Sequence, residues 1–241
     1  HLFMNIRLYH PNSIVENTTE LLSKEHTHYI VNVMRLKRGS RINFFNREGE
    51  WKSEIIFLDK DRVEVKFLDR VKESSSSSNI ELAICLVKKS PMETILQKAT
   101  ELGVNKIIPI VSERTEVKEL NFERAKKIVI EATEQSNQLI PPQILKVIKL
   151  KNFLEKIDRS TTLLFADVNS KNNLENKDLS NSKSLCILVG PEGDFTAGEY
   201  ADLAAVGFKS VRLGANVLRA ETAAAYILSV VDQCASKSSR F

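Results

Sequence analysis

Leu185-Cys186-Ile187-Leu188-Val189 runs without a charged residue into Gly190-Pro191-Glu192-Gly193-Asp194, and Thr196-Ala197-Gly198-Glu199 follows. An apolar run of this length ending in glycine is the pattern of a strand buried on both faces. Thr196 with Glu199 three residues later is a capping box, so a helix starts there, and Gly207 stops it. Buried strand, glycine loop and helix in succession are the repeating unit of a parallel sheet covered by helices.

The same alternation extends in both directions. Residues 82–87, 106–111, 162–166 and 211–213 read as strands. Ser90-Pro91-Met92-Glu93 predicts a helix with Ser90 as cap and Pro91 in its first position, ending at Gly103. Residues 122–139 predict a long helix stopped by Pro141-Pro142, and residues 221–234 an Ala-rich closing helix. The polar stretch 169–184 reads as a loop. Upstream, the serine run 74–78 with Asn79 cannot bury surface and reads as a linker. It separates a first domain, residues 1–73, from a second, residues 80–241. In the first, residues 6–9, 41–45, 51–58 and 63–67 alternate as strands around one helix, residues 23–36, capped by Ser23 and stopped near Gly39. A small antiparallel sheet closing into a barrel is expected.

The 241 residues, 42% of them apolar, suffice for two such domains. The net charge of +4 permits a nucleic-acid partner without requiring one. Arg35, Lys37, Arg38, Arg41, Arg47 and Lys52 cluster, and a solvated helix end and hairpin explain this as well as a phosphate-contacting patch does. Cys85, Cys186 and Cys234 stand far apart in apolar runs, which fits reduced thiols filling the core in the cytoplasm. No Cys-x-x-Cys pair occurs, and His26 and His28 are two apart, so no metal site is expected. No stretch is long enough to span a bilayer, and no secretory signal opens the chain. His1-Leu2-Phe3 before Met4 reads as a short expression leader.

Two loops carry the chemistry: Gly190 to Asp194, and Gly214-Ala215-Asn216-Val217-Leu218-Arg219. Both follow strands at the edge where open α/β sheets bind ligands. Neither is a phosphate cradle, and no Gly-x-Ser-x-Gly elbow is present. By spacing alone each reads as a tight turn rather than a cofactor site.

Taken together the segments say more. Gln97-Lys98-Ala99-Thr100-Glu101-Leu102-Gly103-Val104, Glu131-Ala132-Thr133-Glu134-Gln135-Ser136 with Ile140-Pro141, Val189-Gly190-Pro191-Glu192-Gly193, and Leu213-Gly214 through Arg219-Ala220-Glu221-Thr222-Ala223 occur in that order. This set resembles the RsmE family of bacterial 16S ribosomal RNA uridine-N3 methyltransferases, of the SPOUT superfamily. His28 and Val33-Met34-Arg35 before Gly39 are similar to that family's N-terminal domain, so the resemblance spans nearly the whole chain. Two positions depart from it: Asp194 stands where the family usually has Gly, and Asn216 where it usually has Arg.

The resemblance implies an α/β SPOUT domain with a mainly parallel sheet and a deep trefoil knot, preceded by a PUA-like β-barrel that binds RNA. It implies S-adenosylmethionine as cofactor, with Val189, Leu213, Val217 and Leu218 walling the adenine. Gly190, Pro191, Glu192, Gly193, Gly214 and Asn216 complete that site. It implies a homodimer acting on 16S rRNA in the small ribosomal subunit. Arg219 is placed to stabilise the uridine anion. It is too basic to be the proton acceptor, and an ion pair with Glu221 or a phosphate contact are its other readings. Glu192, Glu221 or solvent remain open as the base. Arg7 matches a basic position of the N-terminal domain. With Arg35, Arg38, Arg41 and Arg47 it is expected to hold RNA, although each arginine singly reads as plain surface charge. The competing readings are a SPOUT enzyme acting on a ribose 2′-hydroxyl or on tRNA, and an RNA-binding protein without catalysis.

Overall fold

The computed structural model describes residues 5–175, 179 and 183–238. Residues 1–4, where a leader was expected, and part of the 169–184 loop lie outside the described residues. Among the described residues no helix is long and apolar enough to cross a membrane. The chain forms two compact units. One comprises the described residues up to Ser76 together with Thr133–Ile140; the other comprises Ser77–Ala132 and the described residues from Pro141 on.

In the first unit, β1 (Arg7–Tyr9), β2 (Thr19–Leu21), β3 (Arg41–Asn46), β4 (Gly49–Leu58) and β5 (Val63–Glu73) form one sheet in the order β1-β3-β4-β5-β2. It is mixed rather than antiparallel, because β1 pairs in parallel with β3. β2 was not legible as a strand. Alternation sends Ile42 and Phe44 of β3, and Val63, Val65 and Phe67 of β5, into a core with Leu8, Ile30 and Ile55. The single helix expected over residues 23–36 is two pieces. α1 (Lys24–His28) is capped by the Ser23 hydroxyl, which accepts from His26 N at 3.1 Å. A π-helical turn (Tyr29–Val33) follows, and Met34 N bonds Tyr29 O at 2.9 Å. The wider turn buries Ile30 fully, and Arg35, in left-handed backbone with φ 52°, ends the element before Gly39.

The second unit contains β6 (Ile80–Cys85), α2 (Lys89–Glu101), β7 (Lys106–Val111), α3 (Phe122–Gln135), β8 (Gln143–Ile144), β9 (Ile148–Lys149) and α4 (Leu150–Lys156). It continues with β10 (Thr162–Ala166), β11 (Leu185–Val189), α5 (Ala197–Val206), β12 (Lys209–Val211) and α6 (Ala220–Ser238). The last residues of α3 group with the first unit. All pairings in this sheet are parallel, in the order β12-β10-β11-β6-β7-β8, with β9 also on β7. β11 therefore slots between β10 and β6 after β10 has been laid down.

Successive side chains of the central strands feed opposite faces. Leu82, Ile84 and Ile187 pack with α2, α3 and α6, while Ala83, Cys85, Cys186 and Leu188 pack with α4 and α5. Burial pushes the Cys85 and Cys186 thiols up to about 12, so they stay protonated core residues. Ser90 is not a cap: α2 starts two residues earlier than expected, at the Lys88 N-cap, and Pro91 falls within the first turn, where its missing N–H costs nothing. The capping box of Thr196 and Glu199 forms as expected. The strand expected over 211–213 ends at Val211, because Arg212 N leaves the ladder to bond Asn172 O at 2.8 Å.

Candidate functional site

Register sets the site. Ala166 pairs with Val189 and with Val211, Val189 with Ile84, and Cys85 with Ile110. The loops after β6, β7, β10, β11 and β12 thus leave one edge of the sheet side by side, and both glycine loops are among them.

The first loop is shaped by close contacts. A Cβ on Gly190 would lie 2.8 Å from a Phe195 ring carbon, and one on Gly193 would lie 3.3 Å from Arg114 Cβ. Asp194 has φ 66°, the left-handed region in which a glycine is cheapest. Its carboxylate offsets that cost, since Oδ1 accepts from Phe195 N at 2.9 Å and from the Tyr200 hydroxyl. Burial, with this carboxylate next, holds the Tyr200 phenol well above its ordinary range. The departure from glycine at Asp194 therefore keeps the loop's shape.

In the second loop Leu213 is buried, and Gly214 takes φ 85° with its carbonyl accepting from Arg212 Nε at 3.0 Å. Ala215 and Asn216 are exposed, and Val217 is 86% exposed, a large apolar side chain held in the open. Leu218 is half-buried and Arg219 exposed. The Arg219 carbonyl accepts Ala223 N at 2.8 Å, opening α6, and its side chain makes no ion pair among the described residues. Glu221 is not its partner: one Glu221 carboxylate oxygen is buried without a hydrogen bond. An open apolar wall beside exposed backbone suits a flat, mainly apolar ligand such as adenine.

Beside the first loop lies a cleft walled by Leu86, Val87, Val117 and Pro191. Lys88, Arg114, Glu116 and Glu192 bring four charges to it. The loop bearing Arg114 is fixed from below: the buried Glu199 carboxylate accepts Glu113 N at 2.8 Å and Thr196 N at 3.0 Å. Arg114 Nη1 reaches Gly193 O at 3.3 Å. Sequence reasoning missed Lys88, Arg114 and Glu116, whose only signal is their place just after strands that end at this edge.

In the first unit Arg35, Arg38, Arg41 and Arg47 are all exposed. Arg7 is not. Its side chain is 9% exposed and ion-paired with Glu50, and it donates to the carbonyls of Glu134 at 2.7 Å and Gln138 at 2.8 Å. Its guanidinium also lies 4.2 Å from the centre of the Phe45 ring. With its donors committed inside the unit, Arg7 has a structural part in it.

A family model for the RNA methyltransferase domain matches residues 73–232, and one for the RNA methyltransferase PUA domain matches residues 22–68. The chain is 38% identical over 226 residues to the ribosomal RNA small subunit methyltransferase E of Rickettsia conorii, covering 90% of this chain and 91% of that one. It belongs to this family. The Bacillus subtilis member is 32% identical over 234 residues, with 90% and 91% covered. The crystal structure of the methyltransferase E from Neisseria gonorrhoeae, bound to S-adenosyl methionine, matches with a TM-score of 0.87 at 29% identity, over 95% of this chain and 97% of that one. The parallel unit is accordingly a SPOUT methyltransferase domain, and the first unit is PUA-like.

Proposed function

We propose that the protein methylates N3 of a uridine in 16S rRNA of the small ribosomal subunit, using S-adenosylmethionine. The observation that carries this is the pair of glycine loops leaving one sheet edge, in a chain that belongs to a methyltransferase family along nearly its whole length. The backbone of Gly190 to Gly193 and of Gly214, with Val189, Leu213, Val217 and Leu218 as apolar walls, would hold the cofactor, and Asn216 borders it. The site fits: Gly190 and Gly214 keep the loops open where a side chain would overlap or strain them, and Val217 offers uncovered apolar surface.

The cofactor supplies an electrophilic methyl group; the protein supplies position and charge. Uracil N3 becomes a nucleophile only on losing its proton, and negative charge then spreads onto the ring oxygens. Arg219, unpaired among the described residues at the head of α6, supplies a fixed cation for that anion. Arg35, Arg38, Arg41 and Arg47 offer contacts for the RNA backbone while the target base is extruded. Cytoplasmic action, independence of metal, a knotted cofactor loop and a twofold homodimer complete the reading. For the dimer, the support is the exposed apolar trio Val168, Val217 and Tyr226. Apart from Tyr226, α6 adds little to it, because Ala223, Ala224, Ile227, Leu228 and Val231 form one stripe buried in their own unit.

Calorimetric titration with S-adenosylmethionine, followed by labelled-methyl transfer to small subunits from a strain lacking the enzyme, tests this. Binding and incorporation are expected. Absence of binding heat would favour an RNA-binding protein without catalysis.

A further inference from the structure

The four charges of the cleft have no task in an adenosine site built from backbone and apolar groups. Their carriers leave three neighbouring strands: Lys88 after β6, Arg114 and Glu116 after β7, and Glu192 after β11. The second glycine loop leaves β12, beyond β10 on the other side of β11. The Gly190–Gly193 loop leaves the sheet between the strands that carry the second glycine loop and those that carry the rest of the cleft, and it borders the cleft directly.

Uracil's reacting edge presents an acceptor, a donor and an acceptor: O2, N3–H and O4. Its complement is a proton acceptor flanked by two cationic donors between apolar walls, and the cleft holds those groups. We propose that this cleft seats the target uracil, with Glu192 accepting the N3 proton while Arg114 and Lys88 donate to the ring oxygens, their charges adding to that of Arg219 on the anion. This rests on the uridine-N3 reading above. Glu192 is chosen over Glu116 because it lines the cleft from the same loop whose backbone is proposed to hold the methyl donor. Its carboxylate is unspent, with no hydrogen bond or ion pair among the described residues. Arg114 is preorganised by its bond to Gly193 O and by the Glu199 carboxylate beneath its loop, so binding costs it little reordering. Leu86, Val87, Val117 and Pro191 lower the local dielectric, which strengthens both cations against the developing anion.

The step balances. The N3–H bond breaks and its proton passes to the Glu192 carboxylate. The N3 electron pair forms the new bond to the methyl carbon, and the carbon–sulfur pair stays on sulfur, which leaves as a neutral thioether. Glu192 then returns its proton to water.

The test is single-turnover methylation of small subunits, at saturating RNA and cofactor, from pH 6 to 10. Glu192→Gln should lower the rate at pH 7 on the order of 100-fold. The deficit should shrink by about tenfold per pH unit towards the ionisation of uridine itself, since a base that has already lost its proton needs no acceptor. Cofactor affinity should be unchanged. Lys88→Ala, whose side chain makes no bond to the glycine loop, should also slow the step with cofactor affinity intact, and Arg114→Lys should recover part of the loss seen in Arg114→Ala. A deficit equal at every pH, a loss confined to cofactor affinity, or no loss at all would overturn the proposal. Nucleoside analysis keeps the two readings apart. Wild-type product methylated away from N3 overturns the uridine-N3 reading itself, whereas N3 product with a flat Glu192→Gln deficit overturns this assignment alone.

Discussion

Arg7 Nε lies 3.1 Å from one oxygen of Glu50 and 3.2 Å from the other, and both side chains are almost fully buried. Asn43 donates to the same carboxylate at 2.8 Å, so the pair sits in a satisfied polar network. Removing one partner of such a pair leaves a buried charge uncompensated, which typically costs about 3–5 kcal/mol. Arg7→Ala should therefore destabilise the first unit by an amount of that order. The salt dependence of RNA binding should keep its slope. Unchanged thermal stability with a slope lower by about 1 would instead mark Arg7 as a phosphate contact.

Asp194 and Gly190 should both tolerate glycine better than alanine. Asp194→Gly relieves left-handed backbone and should bind cofactor nearly as wild type. Asp194→Ala keeps that backbone and loses the bonds to Phe195 N and Tyr200, so it should weaken cofactor binding by about 1–2 kcal/mol, or roughly tenfold. Gly190→Ala should be worse than either, because its methyl would overlap the buried Phe195 ring. Calorimetry on the three variants gives the ranking, and equal affinities would show that the loop does not hold the cofactor.

Arg219→Ala should leave the fold and cofactor affinity nearly intact, since the side chain is exposed and no bond to the loop depends on it. The single-turnover rate should fall on the order of 100-fold, with partial recovery in Arg219→Lys. A full rate with weaker RNA binding would make it a phosphate contact.

Acid should loosen the first unit before the carboxylates titrate. His26 has its pKa lowered from 6.5, chiefly by burial and then by the nearby His10. With the folded pKa below the unfolded one, the unfolded chain binds the proton first, so stability is lost as pH falls through and below 6.5. Thermal midpoints at pH 7.5 and 5.5 should differ less in His26→Gln than in wild type. An unchanged difference would remove His26 as the cause.

The parallel sheet was legible because strands buried on both faces write continuous apolar runs, as at 185–189, and because glycine and the Thr196–Glu199 box mark where they stop. β8, β9 and α4 were not, being two, two and seven residues long with little periodicity to read. The burial of Arg7 was not legible because one residue on a short strand does not tell which face a later segment covers; Thr133–Ile140, over a hundred residues on, supplies that cover. The cofactor loops were legible from glycines in a recognisable order. The charged cleft was not, since Lys88, Arg114 and Glu192 come from three distant loops that only strand order makes neighbours.

The central claim is methylation at uracil N3. Its most direct test is nucleoside mass mapping of 16S rRNA after small subunits lacking the modification are incubated with enzyme and S-adenosylmethionine. The account predicts one new 3-methyluridine, dependent on the cofactor. A ribose 2′-O-methyl nucleoside, or no new methylated nucleoside in the subunit, would contradict it.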